Sequence, residues 1–82
     1  MNICFLMGKI LSNINFDFII NDKNNISIAT FEIGLSNKSK IIVKGYNKIA
    51  DYCYRYLNEN NNIFIYGSLN SQGEVEIIRI YF

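Results

Sequence analysis

Lys38, Lys40, Lys44 and Lys48 fall within residues 38–48, a stretch without an acid, and Tyr46 stands among them. Cations at this density can follow phosphates, and a flat ring offers a face on which any base can stack. The combination suits contact with a single nucleic-acid strand. Alternation places Lys40, Lys44 and Tyr46 on one parity of an extended segment, with Ile42 between them. Lys9 and Lys38 are secondary candidates for phosphates. The same lysines also suit a solvated strand edge on which positive charge discourages aggregation. Catalysis has little to work with, because the chain has no His, no Gly-rich phosphate loop and no nucleophile–base set. Glu74 and Glu76 read as solvated carboxylates beside a turn. Cys4 and Cys53 take apolar-parity positions and read as reduced core residues; with no His and no CxxC, neither a metal site nor a cofactor is expected. The chain is not expected to be an enzyme.

Bulk charge does not announce a polyanion partner, since 8 basic residues meet 7 acidic ones for a net charge of +1. Distribution carries the signal instead, with Asp17, Asp22, Glu59, Glu74 and Glu76 outside the lysine stretch. The 82 residues make a single domain, 1–82. At this size folding buries only about two-thirds of the unfolded surface, so a partner subunit would add stability. No apolar run approaches a membrane span, and no basic start precedes MNICFLMG. These features place the protein in a cytoplasm.

The lysines and Tyr46 must be positioned by the elements around them. Residues 41–69 read as a strand, an amphipathic helix and a second strand. Ile49, Cys53 and Leu57 recur every fourth residue, with Ala50 and Tyr56 beside them. Asn47 is placed to cap the helix, Asp51 falls in its first turn, and the run Asn60–Asn62 supplies the stop. Tyr52 and Tyr56 share a helix face while Tyr54 points elsewhere; the tyrosines suit packing or a protein-partner surface. Before this unit, residues 2–11 are apolar on both parities, so a barrel wall would take one side and the helix or a partner subunit the other. Residues 15–20 suit a strand arm ending in an Asn-Asp-Lys-Asn-Asn turn, with Phe16 and Phe18 on one parity, suited to base stacking, core packing or an intersubunit contact. Residues 26–35 alternate Ala29, Phe31, Ile33 and Leu35 inward against Ile28, Thr30, Glu32 and Gly34 outward. After a tight Asn70–Gly73 hairpin, residues 74–82 form the last strand.

KIADYCYRYL followed by NIFIYGSL resembles the helix and fourth strand of bacterial single-stranded-DNA-binding (SSB) proteins. NICFLMGKI resembles the opening strand of that family, and IATFEIGLS its second strand. The resemblance implies an all-β fold: a small five-stranded OB-fold Greek-key barrel with one α-helix between strands 3 and 4. It implies sequence-independent binding of single-stranded DNA in replication, repair or recombination. It further implies a homodimer or tetramer formed through the first strand. On this reading Lys40, Lys44 and Lys48 hold phosphates and Tyr46 falls where the family places a stacking ring.

The departures matter as much. Lys40 stands where several members carry Trp, and the chain contains none; Glu74 lies near another stacking position. Each lost platform removes about 1–3 kcal/mol of stacking. Even five lysines on phosphates would give a salt slope of only about −3.5 per subunit, so binding is expected to be weak and to depend on avidity. The loop 36–39 is short, and the chain stops at Phe82, where replication-organising members continue into an acidic tail. Two alternatives follow. One is a tail-less adaptor, similar to the primosomal replication protein of the same fold, that dimerises and contacts other replication proteins. The other is an OB-fold interaction domain without nucleic-acid binding, which acids lining the concave face would favour.

Overall fold

The computed structural model describes residues 2–20, 23 and 25–82. In chain order these form strands β1 (Ile3–Ile10), β2 (Asn15–Ile20), β3 (Asn25–Gly34) and β4 (Lys40–Tyr46), helix α1 (Lys48–Tyr56), and strands β5 (Asn62–Leu69) and β6 (Val75–Tyr81). β1 pairs with β5, β5 with β6, β6 with β4, β4 with β3, and β3 returns to β1. Five strands therefore close on themselves, the expected OB barrel. β2 stands outside this circuit as a hairpin arm on β3. The helix thus follows the third strand of the barrel, which is β4 in chain numbering. The turn expected at residues 21–25 lies largely outside the described residues.

Period-two burial builds the wall. β3 buries Ser27, Ala29, Phe31 and Ile33, β4 buries Val43 and Gly45, and β5 buries Ile63, Ile65 and Gly67. Ile10, Ile33, Ile65, Val43 and Val75 are fully enclosed, each worth about 1.5–3 kcal/mol relative to exposure. Closure depends on two close approaches. A Cβ on Gly8 would run into the backbone carbonyl of Gly34, where β1 crosses onto β3 at the pairs Lys9–Gly34 and Ile10–Ile33. A Cβ on Gly67 would sit 2.6 Å from the Glu76 carbonyl oxygen and from Val75 Cγ1, beside the register shift between β5 and β6.

α1 buries Ala50 and Cys53 on the barrel, and Leu57 just past its end joins them in the core. It packs on β3, β4, β6 and β2 but not on β1, so it is not the cover for the second face of the first strand. Asn47 does occupy the cap position, yet its side chain makes no capping hydrogen bond and its backbone takes a positive φ of 56°. The helix stops earlier than the Asn run suggested, because Leu57 turns extended and donates its N–H to the Cys53 carbonyl. Asn60 takes the left-handed conformation three residues later, and its N–H reaches back to the Ile10 carbonyl. Here the Asn run joins two strands rather than ending a helix.

Candidate nucleic-acid interface

β4 sends Ile41, Val43 and Gly45 into the barrel and Lys40, Ile42, Lys44 and Tyr46 to the outer face. Its neighbour β3 sets the register across that face, pairing Tyr46 with Ile28, Lys44 with Thr30, Ile42 with Glu32 and Lys40 with Gly34. Directly opposed residues lie on the same side of a sheet. Gly34 pairs with Lys9 on its other side. Lys9, Gly34 and Lys40 therefore form one row across three strands, with the two lysines about 10 Å apart at the usual strand spacing. Lys38 joins this end from the 36–39 turn, where it adopts φ 69° and donates its N–H to the Leu35 carbonyl. Lys48 opens α1 at the other end of β4. Alternation and the short 36–39 turn place Lys38, Lys40 and Tyr46, whereas Lys9 reaches them only through the β1–β3 closure of the barrel.

The middle of the face is different. Lys44 Nζ lies 3.2 Å from Glu74 Oε1, and both side chains are largely covered, at 31% and 21% exposure. Asn70 fixes that carboxylate: its Nδ2 donates to Glu74 Oε1 at 3.2 Å and to Glu76 Oε2 at 3.4 Å, while its Oδ1 accepts from the backbone N–H groups of Gln72 and Glu74. Hydrogen bonds from Asn70 and Lys44 hold the Glu74 carboxyl below its ordinary value. Glu76 is the β6 residue paired with Lys44, and Glu32 pairs with Ile42. Lys44 is thus a paired cation, and the face has two cationic ends around a centre of Ile28, Ile42 and Tyr46. The sequence hid this pairing because Glu74 is thirty positions away and reaches Lys44 only through the parallel β4–β6 contact.

Other rings are used elsewhere. Phe16 packs on Tyr54 at 4.8 Å, on the helix side of the arm, and Tyr52 meets Tyr56 at 5.1 Å. Phe18 stays exposed on the arm. On the outer face of β1, β5 and β6, Phe5 lies 5.6 Å from Phe64 and 4.9 Å from Tyr66, and Phe64 lies 6.1 Å from Tyr81. Phe5 and Met7 are 64% and 65% exposed there. Among the described residues no group of His, Cys, Asp or Glu is arranged to hold a metal ion, and no helix is long and apolar enough to cross a membrane.

The barrel matches solved structures over its whole length. It superposes on the SSB domain of a Synechococcus sp. protein with a TM-score of 0.82 and 17% identity, covering 100% of this chain and 96% of that one. The chain has the fold of an SSB domain. A second similar structure is a deletion mutant of the single-stranded DNA binding protein from Thermus aquaticus, with a TM-score of 0.84 and 15% identity. There the match covers 99% of this chain and 40% of the Thermus chain. Neither protein-family models nor curated protein sequences match the chain. The SSB-domain fold accounts for the closed barrel and the helix after its third strand.

Proposed function

We propose that this chain binds single-stranded DNA without sequence preference, across the outer face of β4, and acts by binding rather than catalysis. The observation that carries the reading is the placement of Lys40 and Tyr46 on one face, with Lys9 and Lys38 at one end and Lys48 at the other. Phosphates engage the two ends, and bases lie over Ile28, Ile42 and Tyr46. With Lys44 held by Glu74, four lysines remain for phosphates, which gives a salt slope of about −2.8 per subunit. Binding by one subunit is weak, so the working species is a homo-oligomer in a cytoplasm, serving DNA replication, repair or recombination.

Two features of β1 support the oligomer. Among the described residues only its last two pair with β3, which leaves one backbone edge without a strand partner from Ile3 to Gly8, and Ile3, Phe5 and Met7 face outward exposed. An edge of this kind pairs readily with another strand. A second reading, an interaction domain without nucleic acid, draws on the acids Glu32, Glu74 and Glu76 beside the lysines and on the apolar face around Phe5.

Fluorescence anisotropy of labelled oligo-dT at low and moderate salt tests the proposal, with Lys40→Glu/Tyr46→Ala as the comparison. Saturable, salt-sensitive binding that the double variant loses is the expected result. No binding by the folded protein at low salt rejects it in favour of the second reading.

A further inference from the structure

A second cationic and aromatic surface begins where β4 ends. Lys48 is the first residue of α1, two positions after Tyr46. Together with Ile49, Tyr52, Arg79, Ile80 and Tyr81 it lines an open groove of about 470 Å³ between α1 and the end of β6. No acid is among these residues. Lys44 and Glu74 form an ion pair, but neither Lys48 nor Arg79 is paired with an acid among the described residues. Tyr81 is 53% exposed at the mouth, and Tyr52 rests on the floor against Tyr56. Two free cations beside rings make the combination that tracks a single strand: point charges for phosphates and flat faces for bases.

The groove also continues the face already described. β4 and β6 run parallel through Val43–Val75 and Lys44–Glu76, so the C-terminal ends of both strands lead to the start of α1. The register shift opposite Tyr66 and Gly67 adds Ile78 to β6; beyond it Arg79 opposes Tyr66 and Tyr81 opposes Phe64. This bulge turns Arg79 and Tyr81 outward while Ile80 returns to the core side. Without the extra residue the alternation would have sent Arg79 inward.

We propose that the groove between α1 and β6 is a second subsite for the same single strand, taking the nucleotides that leave the β4 face past Tyr46. Lys48 and Arg79 hold its phosphates and Tyr81 stacks a base. The proposal rests on the strand-binding reading above but assigns a separate surface to it. Because the chain has no Trp, a single Tyr→Trp change reports on one place. Tyr46→Trp watches the β4 face and Tyr81→Trp watches the groove, each titrated with five- and fifteen-nucleotide oligo-dT, near the ends of the roughly 4–16 nucleotides that an OB fold covers.

The expected result is quenching of both reporters by the longer oligomer and of Tyr46→Trp alone by the shorter. Arg79→Glu should make the salt slope for the longer oligomer less negative by about 0.7 and leave the shorter unaffected. A responsive Tyr46→Trp with a silent Tyr81→Trp, or an unchanged slope in Arg79→Glu, overturns the groove and leaves the β4 face standing. A responsive Tyr81→Trp with a silent Tyr46→Trp overturns the β4 face and, with it, the groove as a second subsite of the same strand. Quenching of Tyr81→Trp by an acidic, aromatic hexapeptide but not by either oligomer overturns the subsite in favour of a peptide groove.

Discussion

Glu74→Gln should strengthen binding of single-stranded DNA, because Glu74 occupies the one lysine at the centre of the proposed face. The carboxylate lies 3.2 Å from Lys44 Nζ and is held there by Asn70. The amide keeps the size of the side chain and still accepts from Asn70, so the β6 hairpin is preserved while the charge is lost. Freeing Lys44 for a phosphate adds one counterion-releasing contact, which steepens the salt slope on a single strand by about 0.7 per subunit. Taking 1 M salt as the point where this contribution vanishes, the gain is about threefold at 200 mM and about eightfold at 50 mM. Anisotropy titrations at these salts measure it, with Lys44→Met/Glu74→Gln as the control that should show no gain. An unchanged affinity and slope in Glu74→Gln would show that Lys44 does not reach a phosphate. Acid should act in the same direction. The pair stays intact as pH falls to the ordinary carboxylate range and releases Lys44 only below it, because Glu74 titrates lower than usual.

Three further outcomes test the barrel. Ile65→Ala removes a fully enclosed side chain opposite Leu6 and Ile80 and should cost about 2–5 kcal/mol, read from urea unfolding. Gly8→Ala should cost about 1–3 kcal/mol by forcing β1 off the Gly34 carbonyl, seen as a lower melting temperature. Burial pushes the Cys53 thiol up from 9.0 to about 12, so it should resist alkylation at pH 8 until the chain unfolds. Above pH 9 the unfolded chain loses this proton while the folded one keeps it. Stability should then fall by about 1.4 kcal/mol per pH unit, a slope absent from Cys53→Ala.

The fold was legible because local patterns and closure agree. The alternation in IATFEIG and NIFIYG, the fourfold spacing of Ile49, Cys53 and Leu57, and the Asn70–Gly73 turn each specify one element. Gly8 sits where β1 crosses onto β3, and Gly67 beside the β5–β6 register shift. The outer face was legible along β4, since Lys40, Lys44 and Tyr46 share its parity. What alternation leaves out is everything set by neighbours distant in sequence. The Lys44–Glu74 pair comes from a parallel contact thirty residues apart, and the outward turn of Arg79 comes from a bulge. The adjacent Ile77 and Ile78 are its one local sign, because two successive large apolar residues break a period of two. The doubly apolar first strand leads to the expectation of a cover from the helix or a partner subunit, and the helix is not that cover. The helix packs on the other side of the barrel, which leaves Phe5 and Met7 facing outward.

An amide-resolved NMR titration of the labelled protein with fifteen-nucleotide oligo-dT tests the strand-binding face most directly. Shifts concentrated at Lys38 to Lys48, Lys9 and Ile28, continuing into Arg79 and Tyr81 with an oligomer of this length, and weakened by added salt, are the predicted result. Shifts confined to β1, β5 and the Phe5–Tyr66 surface, or none at low salt, would contradict it.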